Sequence, residues 1–176
     1  MIFFNVFLFF SAFIFFMWLY SHKLKKITFI GNMVAALLAI TPFFAIFIYY
    51  HLEDLLIITY ISFILLVIFI REIIKDLEAL KGDVIIGYHT LPATIGIYRT
   101  KWIIVAFALS GFIPATAIFI KTGFSGVSYY MAAGLAGLLI SIAFLLMAQK
   151  KKHYVMLNNM YRLLIIGGIL SLMLFT

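Results

Sequence analysis

Long apolar runs alternate with short polar connections along the chain. Six of them approach the roughly 20 mainly apolar residues that a bilayer-crossing helix needs. They are Ile2–Tyr20, Phe29–Tyr50, Leu55–Ile70, Trp102–Ile120, Val127–Met147 and Met156–Phe175. The third is the shortest, and its pattern runs on into the polar segment that follows it. None alternates with the period of two of a membrane-barrel strand, and all exceed the roughly ten residues such a strand takes. The pattern therefore predicts an all-α fold, a polytopic membrane helical bundle of about six transmembrane helices. The first run has no basic segment ahead of it and no small-residue cleavage site, and it ends in Trp18, Tyr20 and Lys23, so it reads as a retained helix. Trp18, Tyr20, Tyr49, Tyr50, Tyr129, Tyr130 and Tyr161 fall near run ends, as interfacial aromatics do. Pro42 and Pro114 lie inside runs and predict kinks. Gly134, Gly137 and the Gly167–Gly168 pair predict close helix packing.

Composition strengthens this picture. Of 176 residues 66% are apolar and 11% charged, and the mean hydropathy is +1.22. A soluble domain is about half apolar and about a quarter charged. The absence of cysteine excludes a disulfide framework or thiolate metal site, and His22, His51, His89 and His153 lack metal-ligand spacing. The net charge of +7 does not point to nucleic acid, because the aromatics lie in the apolar runs rather than among the basic residues. It reads instead as a topology signal. Lys23, Lys25 and Lys26 follow the first run, Arg71, Lys75, Lys81, Arg99 and Lys101 the third, and Lys150, Lys151 and Lys152 the fifth. These connections share one side and hold eleven of the thirteen basic residues, while the other side has Lys121 with Glu53 and Asp54. The imbalance predicts that the first set is cytoplasmic and both termini are outside, in the plasma membrane of a prokaryote. No linker separates two units, so residues 1–176 are expected to form one domain.

The chemistry concentrates between Arg71 and Pro92, REIIKDLEALKGDVIIGYHTLP, which holds four of the six acidic residues. As a helix continuing the third run, it places Glu72, Asp76 and Asp83 on one face through spacings of four and seven. Arg71 and Lys75 form a neighbouring stripe, Gly82 predicts a turn, and Thr90-Leu91-Pro92 a second break. Carboxylates at the mouth of a bundle bind hard divalent cations, and magnesium is usually held by one or two carboxylates plus substrate phosphates. Adjacent cations grip the same phosphates. The set suits a diphosphate whose hydrocarbon tail lies in the bundle. The same residues also read as a solvated helix surface of paired charges, such as Lys75 with Glu78 and Arg71 with Glu72. A small transporter or channel subunit, with the acids as a cation-binding vestibule, is a further reading of the same pattern.

The stretch REIIKDLEALKGDVIIGYHTLPATIG resembles the second acidic motif of UbiA-type intramembrane prenyltransferases, in which Arg-Glu-x-x-x-Asp runs into Gly-Asp, a Gly and Thr-Leu-Pro. Upstream, LYSHKLKKITFIGN resembles that family's Tyr-and-Lys connection followed by Gly-Asn opening the next helix. The resemblance implies a bundle of about nine spans around a lipid-open cavity, where two acidic motifs bind Mg2+ and a prenyl diphosphate. Ionisation would leave an allylic carbocation, captured by an aromatic or hydroxyl acceptor, with the metal neutralising charge on the departing diphosphate. By this resemblance Asp76 and Asp83 are the catalytic metal carboxylates, supported by Glu72. Lys25, Arg71 and Lys75 contact the diphosphate, and Tyr20 shapes the site near the scissile bond. Membrane lipid is the expected surrounding. The wording Arg-Glu-Ile-Ile-Lys-Asp is most similar to the branch acting on geranylgeranylglycerol phosphate, followed by the 4-hydroxybenzoate branch of quinone biosynthesis. A non-catalytic scaffold derived from the family is the remaining reading.

The chain departs from the family pattern in three ways. It lacks the first acidic motif, of Asn-Asp-x-x-Asp type, since no aspartate precedes Asp54. Ala79 stands where the second motif usually has another acid, and Tyr20 and Lys25 are separated by four residues rather than three. Six runs against about nine spans imply that the helices before the present first one are missing. The expectation is half a metal site, and little or no transferase activity from this chain alone.

Overall fold

The computed structural model describes residues 2–49 and 55–171, with side chains over 6–42 and 55–171. Glu53 and Asp54, read above as lying on the outer side, are outside the described residues, as are Tyr50, His51, the Tyr49 side chain and the end of the last run at Phe175. The described residues are 90% helical and contain no strand. Helices α1 (Ile2–His22) and α2 (Ile30–Tyr49) are joined through a 3-10 turn at Leu24–Lys26. Then come α3 (Leu55–Ile86), the short α4 (Leu91–Ile95), α5 (Ile97–Ser110), α6 (Phe112–Thr122), α7 (Gly126–Met147) and α8 (Lys151–Ser171).

Among the described residues four segments are long and apolar enough to cross a membrane: Val6–Lys26, Leu55–Ile86, Ile97–Thr122 and Gly126–Met147. The other two expected spans extend past the described residues: the α2 side chains are described to Pro42 and α8 to Ser171, and α8 opens on Lys151 and Lys152. At 1.5 Å per residue, the 32 residues of α3 reach about 48 Å, against a hydrocarbon core of about 30 Å. The surplus carries Arg71–Asp83 beyond the apolar zone on continuous helix.

Of two expected breaks, one moves and one stays. Gly82 lies inside α3, and the chain turns instead at Gly87, where φ is +77°. A helical glycine costs only about 1 kcal/mol, too little to end a long helix. A positive φ, by contrast, is cheap only for glycine. The second, at Pro114, stands: the Ile97–Thr122 span is interrupted one turn ahead of it, because Pro114 has no N–H for the Ser110 carbonyl four residues back. The discontinuity is at buried Gly111, whose missing side chain leaves room for Leu138 and Leu66.

Helix α3 is the hub, packed against α2, α4, α5, α6 and α8. Tyr60, Phe63, Ile70, Ile73 and Ile74 are fully enclosed. Lipid supplies no hydrophobic drive between helices, so close approach and interhelical hydrogen bonds hold such bundles. Gly134 lies where a Cβ would stand 3.0 Å from the Phe63 ring, and Gly168 receives the Tyr130 hydroxyl and Ile64. The hydroxyls of Tyr60 and Tyr130 donate to the carbonyls of Gly168 and Leu164, each at 2.8 Å. Lys101 on α5 donates at 2.5 Å to the Ala148 carbonyl, closing the exit of α7. Helix α1 differs, packing chiefly along α2 with Phe7, Ile14, Phe15 and Trp18 exposed.

Candidate functional site

The protruding part of α3 sorts its charges by face. Glu72 is buried, and its two carboxylate oxygens accept from Arg71 Nη1 and Lys75 Nζ, each at 3.0 Å. This internal trio pairs a buried carboxylate that would, unpaired and ionised, carry a desolvation cost of several kcal/mol. The Lys75 side chain remains half exposed at 51%. Arg71 Nε is buried without a hydrogen-bond partner among the described residues. Both cations thus keep donors beyond those given to Glu72.

Asp76 lies one turn further on and is partly buried. Asn32 of α2 donates its amide hydrogen to Asp76 Oδ2 at 2.7 Å. The negative charges of Asp83 and Glu72 both act on Asp76, as does the positive charge of Lys75. Tyr20, near the end of α1, feels the charges of Glu72 and Asp76. It lines a cavity of about 380 Å³ enclosed by α1, α2 and α3, with Phe13, Met17, Leu38, Glu72 and Lys75 among its walls. The cavity is apolar along the helices and charged at one end, the shape suited to a lipid with an anionic head.

Lys25 stands apart from this group. It is exposed on the 3-10 turn with its Nζ 5.5 Å from the centre of the Tyr88 ring. The two connections nevertheless converge: the Thr28 hydroxyl donates to the His89 carbonyl at 2.6 Å and meets the Thr94 hydroxyl at 2.9 Å. Tyr20, Glu72, Lys75 and Asp76 are therefore brought together, Asp83 joins them through α3, and Lys25 sits over the turn that follows.

Among the described residues no three acids or histidines converge as a self-sufficient metal cage. Asp76 and Asp83 instead offer two hard oxygen donors on one helical face, while the oxygens of Glu72 serve Arg71 and Lys75. That donor set fits magnesium, which takes one or two carboxylates and fills its remaining positions with phosphate oxygens and water.

Two residues gained partners that sequence reasoning did not assign. Asn32, quoted above only within a Gly-Asn motif, bonds Asp76; its signal was an amide in an otherwise apolar run. Asn158 donates to Glu78 Oε2 at 2.9 Å across the α3–α8 seam. A second groove of about 250 Å³, lined by Phe29, Met33, Leu37, Leu65, Phe69 and Phe107, lies on the other flank of α2 and is almost wholly apolar.

These features define an integral membrane helical bundle with a mainly apolar cleft that also bears Glu72 and Lys75. The chain belongs to the UbiA prenyltransferase family, whose model matches residues 2–165. It is 35% identical over 115 residues to the digeranylgeranylglyceryl phosphate synthase of Thermococcus gammatolerans, covering 65% of this chain and 40% of that protein. Proteins of the same name from Thermococcus kodakarensis and Thermococcus sibiricus are 30% and 34% identical, covering 78% and 77% of this chain and 48% and 50% of their own length. The chain thus spans half or less of the length of these curated relatives. No solved structure matches it.

Proposed function

We propose that this chain is one part of a prenyl-transfer site, with Asp76 and Asp83 as carboxylates of a magnesium–diphosphate centre and the α1–α2–α3 cavity as the seat of the prenyl tail. One observation carries the reading: Tyr20, Glu72 and Lys75 line one apolar cavity, and all three are within electrostatic reach of Asp76. The reaction breaks the bond between the allylic carbon and the diphosphate oxygen, with the electron pair leaving on diphosphate. An acceptor hydroxyl oxygen bonds to that carbon and gives up its proton. Magnesium, when bound, neutralises charge on the departing group. Lys75 and Arg71 present their remaining N–H groups to the diphosphate, Glu72 holds both in place, and Tyr20 closes the cavity near the scissile bond. Lys25 meets the diphosphate from the converging turn.

The names of the relatives favour a glycerol phosphate carrying a geranylgeranyl chain as acceptor, over an aromatic ring of the 4-hydroxybenzoate kind. We place the carboxylate end in the cytoplasm and the bundle in a prokaryotic plasma membrane, as one domain, because the basic residues collect at that end. The first test is binding. The chain in lipid nanodiscs should bind geranylgeranyl diphosphate with magnesium and release it on chelation. Binding indifferent to magnesium, or none, would favour the transporter or scaffold readings. Turnover by this chain alone is expected to be slight, because a single pair of carboxylates leaves a diphosphate under-neutralised.

A further inference from the structure

The entry into α2 is built at a conformational cost. Phe29 has φ +65°, a left-handed conformation that bulky residues rarely adopt. Such strain costs of order 1–3 kcal/mol and persists where the surroundings over-determine it. Here the Phe29 ring lies 5.4 Å from that of Phe69 and 6.3 Å from that of Phe107, which locks it. Two residues on, Gly31 is buried tightly against the 3-10 turn. A Cβ at that position would stand 2.9 Å from the Leu24 carbonyl oxygen and 3.3 Å from that of Lys25. Both are backbone atoms, so they cannot swing aside. The Gly31 N–H donates to the Ile27 carbonyl at 3.0 Å and the Met33 N–H to that of Phe29 at 3.0 Å, so the helix begins around this pair.

What this entry delivers is Asn32. The residue is buried at 7% exposure, in a first turn that is otherwise apolar. A buried amide costs free energy unless it is hydrogen-bonded, and this one spends a donor on a carboxylate 44 positions away, at 2.7 Å. That distance is at the short end for N–H···O bonds, as expected when the acceptor is charged. An aspartate near the outer end of a long helix would otherwise turn about two side-chain torsions. With Oδ2 tied to α2, the orientation of Oδ1 is set as well.

We propose that Asn32 is the positioning residue for Asp76, and that the strained Phe29 and the close-packed Gly31 exist to seat it there. The inference rests on the magnesium–diphosphate reading above and deepens it. Asn32 touches neither metal nor diphosphate; it aims the carboxylate that does. The same entry links the turn bearing Lys25 to the helix bearing the acids, so both halves of the site keep one register.

The test uses the full chain in nanodiscs, with Mn2+ and inorganic diphosphate as probe and electron paramagnetic resonance reporting bound metal. Asn32→Leu, close in size but without the donor, should weaken Mn2+ binding about tenfold, the low end for loss of an orienting partner. Asn32→Ser, a milder change that keeps a polar group too short to reach Asp76, should weaken it in the same direction. Asp76→Asn should weaken it more, and Asn32→Leu added to Asp76→Asn should change nothing further, because a residue acting through Asp76 has nothing left to act on. Helix content by circular dichroism should be unchanged throughout. Full additivity in the double variant would assign Asn32 to packing, and wild-type affinity in folded Asn32→Leu or Asn32→Ser would overturn the inference while leaving the functional reading intact. No Mn2+ bound by the unaltered chain with diphosphate present would remove both.

Discussion

Helix α3 carries two acids two positions apart, Asp76 and Glu78, which point about 200° away from each other around the helix. Each takes an amide hydrogen from a buried asparagine on a neighbouring helix, Asn32 on α2 at 2.7 Å and Asn158 on α8 at 2.9 Å. The pairings are chemically alike, and their surroundings are not. Asp76 is within electrostatic reach of Asp83, Glu72, Lys75 and Tyr20, and the last three line a cavity. Glu78 sits in the seam between α3 and α8, beside the Asn158 side-chain Oδ1, which is buried without a hydrogen-bond partner among the described residues. A hydrogen-bonded carboxylate is therefore no sign of a site in itself. A second acid and an open cleft beside it distinguish the α2 side, whereas the α8 side reads as a staple between helices.

The same chemical change on the two sides gives the largest contrast. Asp76→Asn should lower magnesium-dependent binding of geranylgeranyl diphosphate by ~100-fold or more, in line with the loss of a principal charge-stabilising group. Glu78→Gln, which keeps an acceptor for Asn158, should change it less than about twofold. Equal damage from both, measured by titration with and without chelator, would erase the distinction. The next effect is on stability. Asn158→Leu removes the donor to a partly buried carboxylate and should destabilise the bundle by about 1–3 kcal/mol, read by denaturation in detergent, with diphosphate binding by the folded fraction unchanged. The smallest effect lies away from both pairs. Lys101→Met removes the cation at the exit of α7 and should cost about 0.5–1 kcal/mol without altering ligand affinity; a large loss of binding there would mean that α5 and α7 help to shape the cleft.

The run lengths announced a helical bundle, because a segment surrounded by lipid must satisfy its backbone internally. The continuation of the third run into Arg71–Asp83 was legible for a related reason: acids at spacings of four and seven share a face only on a helix. The breaks were less legible. Pro114 marks its break to within a turn, at Gly111, yet Gly82 does not, and the chain turns at Gly87. A glycine or proline permits a break, and packing against neighbours selects which one is used. The partners of Asn32 and Asn158 were hidden for a simpler reason. They lie 44 and 80 positions away, and no local period reports such a distance.

The order of residues alone determined that this protein is helical, lipid-embedded and acidic at one end of its third helix. It determined the motif words that place the chain beside the UbiA prenyltransferases, and those words carried over to a family match across residues 2–165. Only the tertiary structure decided which acid lies beside the residues of a cleft and which lies in a seam between helices. The physical reason is geometric: two residues apart on one helix, Asp76 and Glu78 have similar intrinsic chemistry, and the helices packed on either side of α3 supply the difference between them.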